Sequence, residues 1–168
     1  MYRALTYSTL GDYTSAIGDY SAVISYYAPD DPNMPDAYLQ RGLHYRYNGD
    51  PTSSIPDFDT YLSLHSDENP LPYASMAVHQ RGLSYYELGD LETAYADLSV
   101  ALEWDASDYE AAYYRGLIYE TWGDAPSAIA DYIYAIDVIA ALPTPDEYST
   151  ALLEDSRARI TVLGGEAP

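Results

Sequence analysis

The sequence predicts an all-α solenoid of repeated helix pairs, and three observations carry that expectation. A ten-residue segment recurs four times, a second pattern follows each copy at a fixed distance, and the spacing between copies is that of one helix-turn-helix unit. The segments are RALTYSTLGD (Arg3–Asp12), RGLHYRYNGD (Arg41–Asp50), RGLSYYELGD (Arg81–Asp90) and RGLIYETWGD (Arg115–Asp124). Their Arg-to-Arg spacings are 38, 40 and 34 residues.

Each element of the unit follows from its residues. The first helix carries a small residue beside the Arg (Ala4, Gly42, Gly82, Gly116), which lets a second helix axis approach closely. Gly11, Gly49, Gly89 and Gly123 then end that helix in the left-handed cap conformation, and the Asp that follows each can cap the next helix. In the second helix, small residues (Ala16, Ser54, Ala94, Ala128) fall five positions after the Gly. Asp19, Asp57, Asp97 and Asp131 fall eight after it, followed by Tyr20, Phe58, Leu98 and Tyr132.

These residues resemble the tetratricopeptide repeat family over nearly the whole chain. Gly42, Gly82 and Gly116 match the family's small position in helix A, and Tyr7, Tyr45, Tyr85 and Tyr119 its aromatic. The resemblance implies a right-handed superhelical solenoid of antiparallel pairs over 1–163. Its repeats fall at about 1–35, 36–71, 72–107 and 108–142, with a capping helix over about 146–163 and a flexible tail, 164–168. The departures are informative too. Pro-rich insertions at Pro29–Pro35 and Asn69–Pro72 lengthen loops. Pro56 stands inside a second helix, where its missing N–H predicts a kink or restart and makes repeat 2 the irregular one. Met1 falls four residues inside the expected first helix; truncation, processing or a stacked second subunit would each account for it.

Composition excludes several classes of function. The chain has 27 acidic and 7 basic residues, for a formal net charge of −20, so nucleic acid is not an expected partner. All seven basic residues are Arg, and 21 Tyr stand against one Phe. A Lys-free, Tyr-rich acidic surface favours an extracellular or cell-surface setting, with the cytoplasm of a salt-adapted organism as the alternative. No apolar run is long enough to span a membrane, and with no Cys there is no thiolate metal site. His44, His65 and His79 are scattered, and no catalytic motif occurs, so neither an enzyme nor a cofactor site is expected. The oxygen-rich clusters Asp30, Asp31, Asn33, Asp36 and Ser66, Asp67, Glu68, Asn69 lack the spacing of a calcium loop, so calcium is not expected.

Arg41, Arg81 and Arg115 with Asp57, Asp97 and Asp131 read as structural bidentate bridges between paired helices. The family resemblance implies a concave surface lined by helix A. Here that gives Leu5, Leu39, Leu43, Arg46, His79, Leu83, Tyr86, Tyr113, Leu117 and Glu120. Family members that clamp a chaperone's carboxylate tail use Asn, Lys and Arg at such positions, and the Leu here imply that this clamp is absent. An apolar groove would suit an amphipathic helix or an extended apolar segment. A second surface is expected at the ends, from Met1, Tyr2, Arg157, Arg159 and Ile160. The favoured expectation is a non-enzymatic scaffold, a secreted or surface subunit whose partners are other copies of itself, stacked end to end into a fibre. A monomeric adaptor with an apolar groove is the alternative.

Overall fold

The computed structural model describes residues 2–26, 34–64 and 71–167, except for the side chains of Tyr2 and Leu5. Nine α-helices and no strand are present among the described residues. The chain divides into two compact units, Met1–Asp90 and Leu91–Pro168.

The first unit holds α1 (Tyr2–Thr9), α2 (Tyr13–Tyr26), α3 (Met34–Tyr47), α4 (Pro51–Ser63) and α5 (Ala74–Leu88). Each helix packs on the next, and α3 also touches α5. The turns inside the pairs show why Gly-Asp recurs. Gly11 and Gly49 sit at φ of +72° and +76°, a region that glycine enters without steric cost. The N–H of the following Asp then donates to the carbonyl of the helix-A tyrosine, Asp12 to Tyr7 and Asp50 to Tyr45, both at 2.9 Å. Each of these Asp side chains in turn accepts the N–H of Ser15 (3.1 Å) or Ser53 (3.0 Å), capping α2 and α4.

Two apolar centres fill the unit. Ala4, Ala16 and Tyr20 pack with Tyr7, and Leu39, Leu43, Phe58, Tyr61 and Ala77 form the larger one. Gly42 is small for a reason: a Cβ there would stand 2.9 Å from Phe58 Cε1. Of the kink or restart expected at Pro56, the restart does not occur, because α4 runs through it as one helix. One proline in the second turn removes a single N–H donor, and the burial of Phe58 and Tyr61, which follow it in the same helix, outweighs the loss. Pro35 belongs to the first turn of α3 rather than to a loop, a place where a missing N–H costs nothing.

The second unit holds α6 (Leu91–Trp104), α7 (Tyr109–Thr121), α8 (Ala125–Ala140) and α9 (Glu147–Val162), again packed in sequence, with α7 also touching α9. Gly123 (φ +77°) and Asp124 repeat the turn chemistry, with Asp124 accepting from Ser127 N at 3.2 Å. A Cβ on Gly116 would stand 2.7 Å from Tyr132 Cε1. The core is Ala112, Tyr113, Ala128, Tyr132, Ala135, Ile136 and Ile139, closed from above by Leu152 and Ile160 of α9.

The tail expected to be flexible begins as ordered structure. Gly164 (φ +84°) ends α9, the N–H of Gly165 donates to Ile160 O at 2.9 Å, and Gly165 lies against Ile160 and Ile129. This is the same closing bond that Asp124 N makes to Tyr119 O. The C-terminal helix therefore ends as a helix A does, with Gly164 at the turn and Arg157 at the small-residue position.

Candidate functional site

The repeated Arg is a three-helix clamp. In the first unit Arg41 of α3 bonds Asp57 of α4 through Nε and Nη2, both at 2.7 Å, and its Nη1 donates to Ser21 Oγ of α2 at 3.2 Å. In the second, Arg115 of α7 bonds Asp131 of α8 through the same two nitrogens at 2.7 Å, and Nη1 reaches Ser99 Oγ of α6 at 3.3 Å. The planar fork fits a carboxylate bidentately and leaves one edge for a third helix. Hydrogen bonding to Asp131 raises the Arg115 pKa, outweighing burial. Arg81 donates from Nη1 to Asp59 of the preceding α4 at 2.6 Å, while Asp97 is buried in the second unit. Ser21, Asp59 and Ser99, each two residues after the helix-B Asp, were missed by the sequence reasoning. Their common register and polarity were the available signal.

Arg3 makes the same bidentate pair with Asp19, with Nε to Oδ2 at 2.7 Å, but there is no third partner for it among the described residues. Its side chain is 75% exposed, against 19% for Arg41 and 24% for Arg115.

The residues expected to line a groove mostly do not. Leu39, Leu43, His79, Leu83 and Tyr113 are buried, because these positions interdigitate with neighbouring helices. Arg46 reaches α5, donating to Gln80 Oε1 at 3.1 Å and pairing with Glu87 at 3.1 Å. Tyr86 is half-buried, and Leu117 packs on the second unit's core. Leu5's side chain falls outside the described residues.

In the second unit, expected groove and expected end residues meet each other. Tyr113 OH donates to Asp155 Oδ2 at 2.5 Å, and Arg159 bonds both Asp155 (Nε, 2.5 Å) and Glu120 (Nη1, 3.0 Å). Tyr132 OH donates to the same Glu120 Oε2 at 2.8 Å, and Tyr148 OH to Glu110. Arg159 and the fully buried Ile160 thus hold α9 down, and Ile160, expected on an end surface, belongs to the core instead. Arg157 is exposed, and Met1 and the Tyr2 side chain lie outside the described residues. Burial, reinforced by Asp155, pushes the Tyr113 hydroxyl up to about 12. Burial and Glu120 likewise push Tyr132 upward. Burial would raise the Asp155 carboxyl, but the bonds from Tyr113 and Arg159 outweigh it and hold it below the usual range.

Of the three histidines, His44 is a core residue. Its Nδ1 bonds Gln40 O at 2.5 Å, and the rings of Tyr13 and Tyr20 lie 6.0 and 5.3 Å away. His65 lies outside the described residues, as do both oxygen-rich clusters apart from Asp36, which sits in the first turn of α3. Among the described residues no group of acidic or histidine side chains could hold a metal, and no helix is long and apolar enough to cross a membrane.

Comparison with known proteins agrees with this geometry. The family model described as tetratricopeptide repeat matches residues 3–70 and 79–143. No curated protein matches the sequence. Among solved structures, MamA superposes with a TM-score of 0.72 at 20% identity, covering 96% of this chain and 86% of that one. A tetratricopeptide repeat protein from Parabacteroides merdae gives 0.71 at 22%, covering 96% of this chain and 63% of that one. PcrH from Pseudomonas aeruginosa gives 0.66 at 16%, covering 80% and 95%. At these identities the likeness is one of fold.

Proposed function

The chain belongs to the tetratricopeptide repeat family, a fold of protein–protein interaction scaffolds, and from that premise we propose that it is a non-enzymatic subunit that associates with other copies of itself through its ends. One observation carries the reading. The three most exposed large apolar side chains are Leu10 (75%) and Tyr26 (84%) in the first helix pair and Val162 (82%) in the last helix, while no other described one exceeds 51%. Exposed apolar surface gathered at the ends of a repeat array is what contact between copies would cover. An end-to-end fibre follows if both ends engage, because contacts that do not close give an open filament. The same proposal sets the protein outside the cell or on its surface, on the strength of its Lys-free, acidic, Tyr-rich composition. The adaptor alternative has less behind it, since the leucines that would line its groove, Leu39, Leu43 and Leu83, are buried.

Sedimentation velocity of the intact chain, repeated at rising salt, tests the reading. A net charge of −20 opposes association, so added salt should strengthen it by screening. A strict monomer at high concentration in about 0.5 M salt, where screening reaches roughly 4 Å, sinks the proposal.

A further inference from the structure

We infer that the groove beside Tyr134, on the face of α8 turned toward the end of α6, is a docking site for an extended segment of another protein that carries apolar side chains next to Arg or Lys. The site lies wholly within the second unit and is independent of the self-association read above.

Two clefts meet at Tyr134 and make the groove. The larger, about 640 Å³, is lined by Ala106, Ser107, Tyr134, Val138, Ala141 and Leu142, with Asp137 as the carboxylate in its wall. The smaller, about 400 Å³, runs past Leu102 and Ala130 to the Arg115 clamp, with Glu103 along it. Tyr134 OH donates to Ala106 O at 2.6 Å, which fixes the ring as a wall between the two while leaving it 40% exposed. A held, part-exposed aromatic offers contact area at little loss of freedom on binding. The repeat itself does not call for it, since three residues after the helix-B Asp the other copies have Ala22, Thr60 and Val100.

Shape and charge select the occupant. From Ala130 to Leu142 the groove follows α8 for about 18 Å at about 1.5 Å per residue. That is the length of roughly five or six residues of extended chain at about 3.3 Å each. The larger cleft also sits at two helix C-termini: α6 ends at Trp104, just before Ala106 and Ser107, and α8 at Ala140, just before Ala141 and Leu142. Each end carries the negative pole of its helix, and neither helix has a basic residue in its last turn. Asp137 and Glu103 are exposed and have no side-chain partner among the described residues. Arg115, the cation in the smaller cleft, is already engaged by Asp131 and Ser99. The groove therefore presents apolar walls beside uncompensated negative charge. A segment with Leu-like side chains flanked by Arg or Lys complements both, and an acidic segment is repelled.

The test is fluorescence anisotropy of an end-blocked, labelled hexapeptide alternating Leu and Arg, titrated with the full chain and with Ala141→Trp, Asp137→Asn and Glu92→Gln, circular dichroism showing that all four fold alike. Ala141→Trp fills the larger cleft from its rim, Asp137→Asn removes its carboxylate, and Glu92→Gln removes an equal charge from the opposite end of α6. The expected result is saturable binding whose dissociation constant rises at least about tenfold in Ala141→Trp and about threefold in Asp137→Asn, and is unchanged in Glu92→Gln. Hexapeptides alternating Leu with Asp, or Ser with Arg, should bind at least about tenfold more weakly. Absence of saturable binding overturns the site. Equal weakening by Asp137→Asn and Glu92→Gln, or indifference to Ala141→Trp, also overturns it, because bulk charge alone would then hold the peptide. Hexylamine displacing the peptide at concentrations equal to its own would make the occupant a small apolar amine and overturn the peptide reading.

Discussion

The first helix pair and the last repeat carry the same residues at the same spacing, yet their clamps experience different surroundings. Arg3 and Arg115 both grip an Asp sixteen residues on, and both sit beside a small residue and an Arg-Tyr-Gly-Asp frame. Around Arg115 a preceding helix supplies Ser99, and α9 closes the far side of the repeat through Leu152, Ile160 and the Tyr113–Asp155–Arg159–Glu120 chain of bonds. Arg3 has the pair and no third partner among the described residues, while α3 closes the far side of its helices, with Arg41 bonding Ser21 and the His44 ring 5.3 Å from Tyr20. A repeat motif therefore specifies a clamped pair of helices, and how much that pair contributes to stability depends on what lies on either side of it.

The sharpest way to probe the difference is at the glycines. Gly116→Leu should destabilise the second unit by about 3 kcal/mol, since even its Cβ meets the Tyr132 ring at 2.7 Å; urea melts monitored by circular dichroism would read it. An unchanged midpoint would mean that α7 and α8 can separate at no cost, against the packing described.

Breaking the clamps comes next. Arg115→Ala leaves Asp131, nearly buried, without its counter-charge and should cost about 2 to 3 kcal/mol. Arg3→Ala at an exposed pair should leave thermal unfolding within error of the parent. Equal losses for the two would show that the pair alone, and not its neighbours, sets the contribution.

Alkaline pH should loosen the capped end selectively. Tyr113 is pushed up to about 12 in the folded chain against an ordinary value near 10, and Tyr132 is also raised, so both favour the fold while protonated. Their contribution is complete below about pH 10 and falls away as pH climbs toward 12. Asp155 acts in the opposite direction: its depressed pKa stabilises the fold above about pH 4 and that stability is lost as pH falls further. Hydrogen exchange across α9 should rise between pH 10 and 12, after correction for the intrinsic rate, by more than across α2. Tyr113→Phe should shrink that alkaline loss, and an identical profile in the variant would remove Tyr113 from the account.

The smallest effect is expected at Gly18, where an added methyl meets nothing within 4 Å. Gly18→Ala should stabilise α2 by about 0.5 to 1 kcal/mol through helix propensity, visible as a slightly higher melting temperature. A loss instead would mean that α2 needs a bare backbone at Gly18.

Much of the fold was legible because its determinants are local. Gly-Asp turns need one positive-φ residue and one side-chain acceptor, both encoded within four residues, so Gly49-Asp50 and Gly123-Asp124 announce their turns without reference to the rest of the chain. The sixteen-residue step from Arg to Asp likewise survives translation into space, since two helices and a fixed turn leave little freedom. The groove was legible in register but not in exposure. Leu39 and Leu83 occupy helix-A positions as expected, yet whether such a side chain faces solvent or a neighbouring helix is decided by how closely successive helices pack.

The sequence by itself determined the helix pairs, their turns, the residues that let them touch and the acidic surface, because each depends on chain chemistry within one repeat. Only the tertiary structure decided that Arg41 and Arg115 each reach a serine of a third helix, that α4 passes through Pro56 unbroken, and that Arg159 and Glu120, 39 residues apart, meet under the cap. Those outcomes are sums over neighbours brought together from different repeats, which the chemistry within one repeat does not encode.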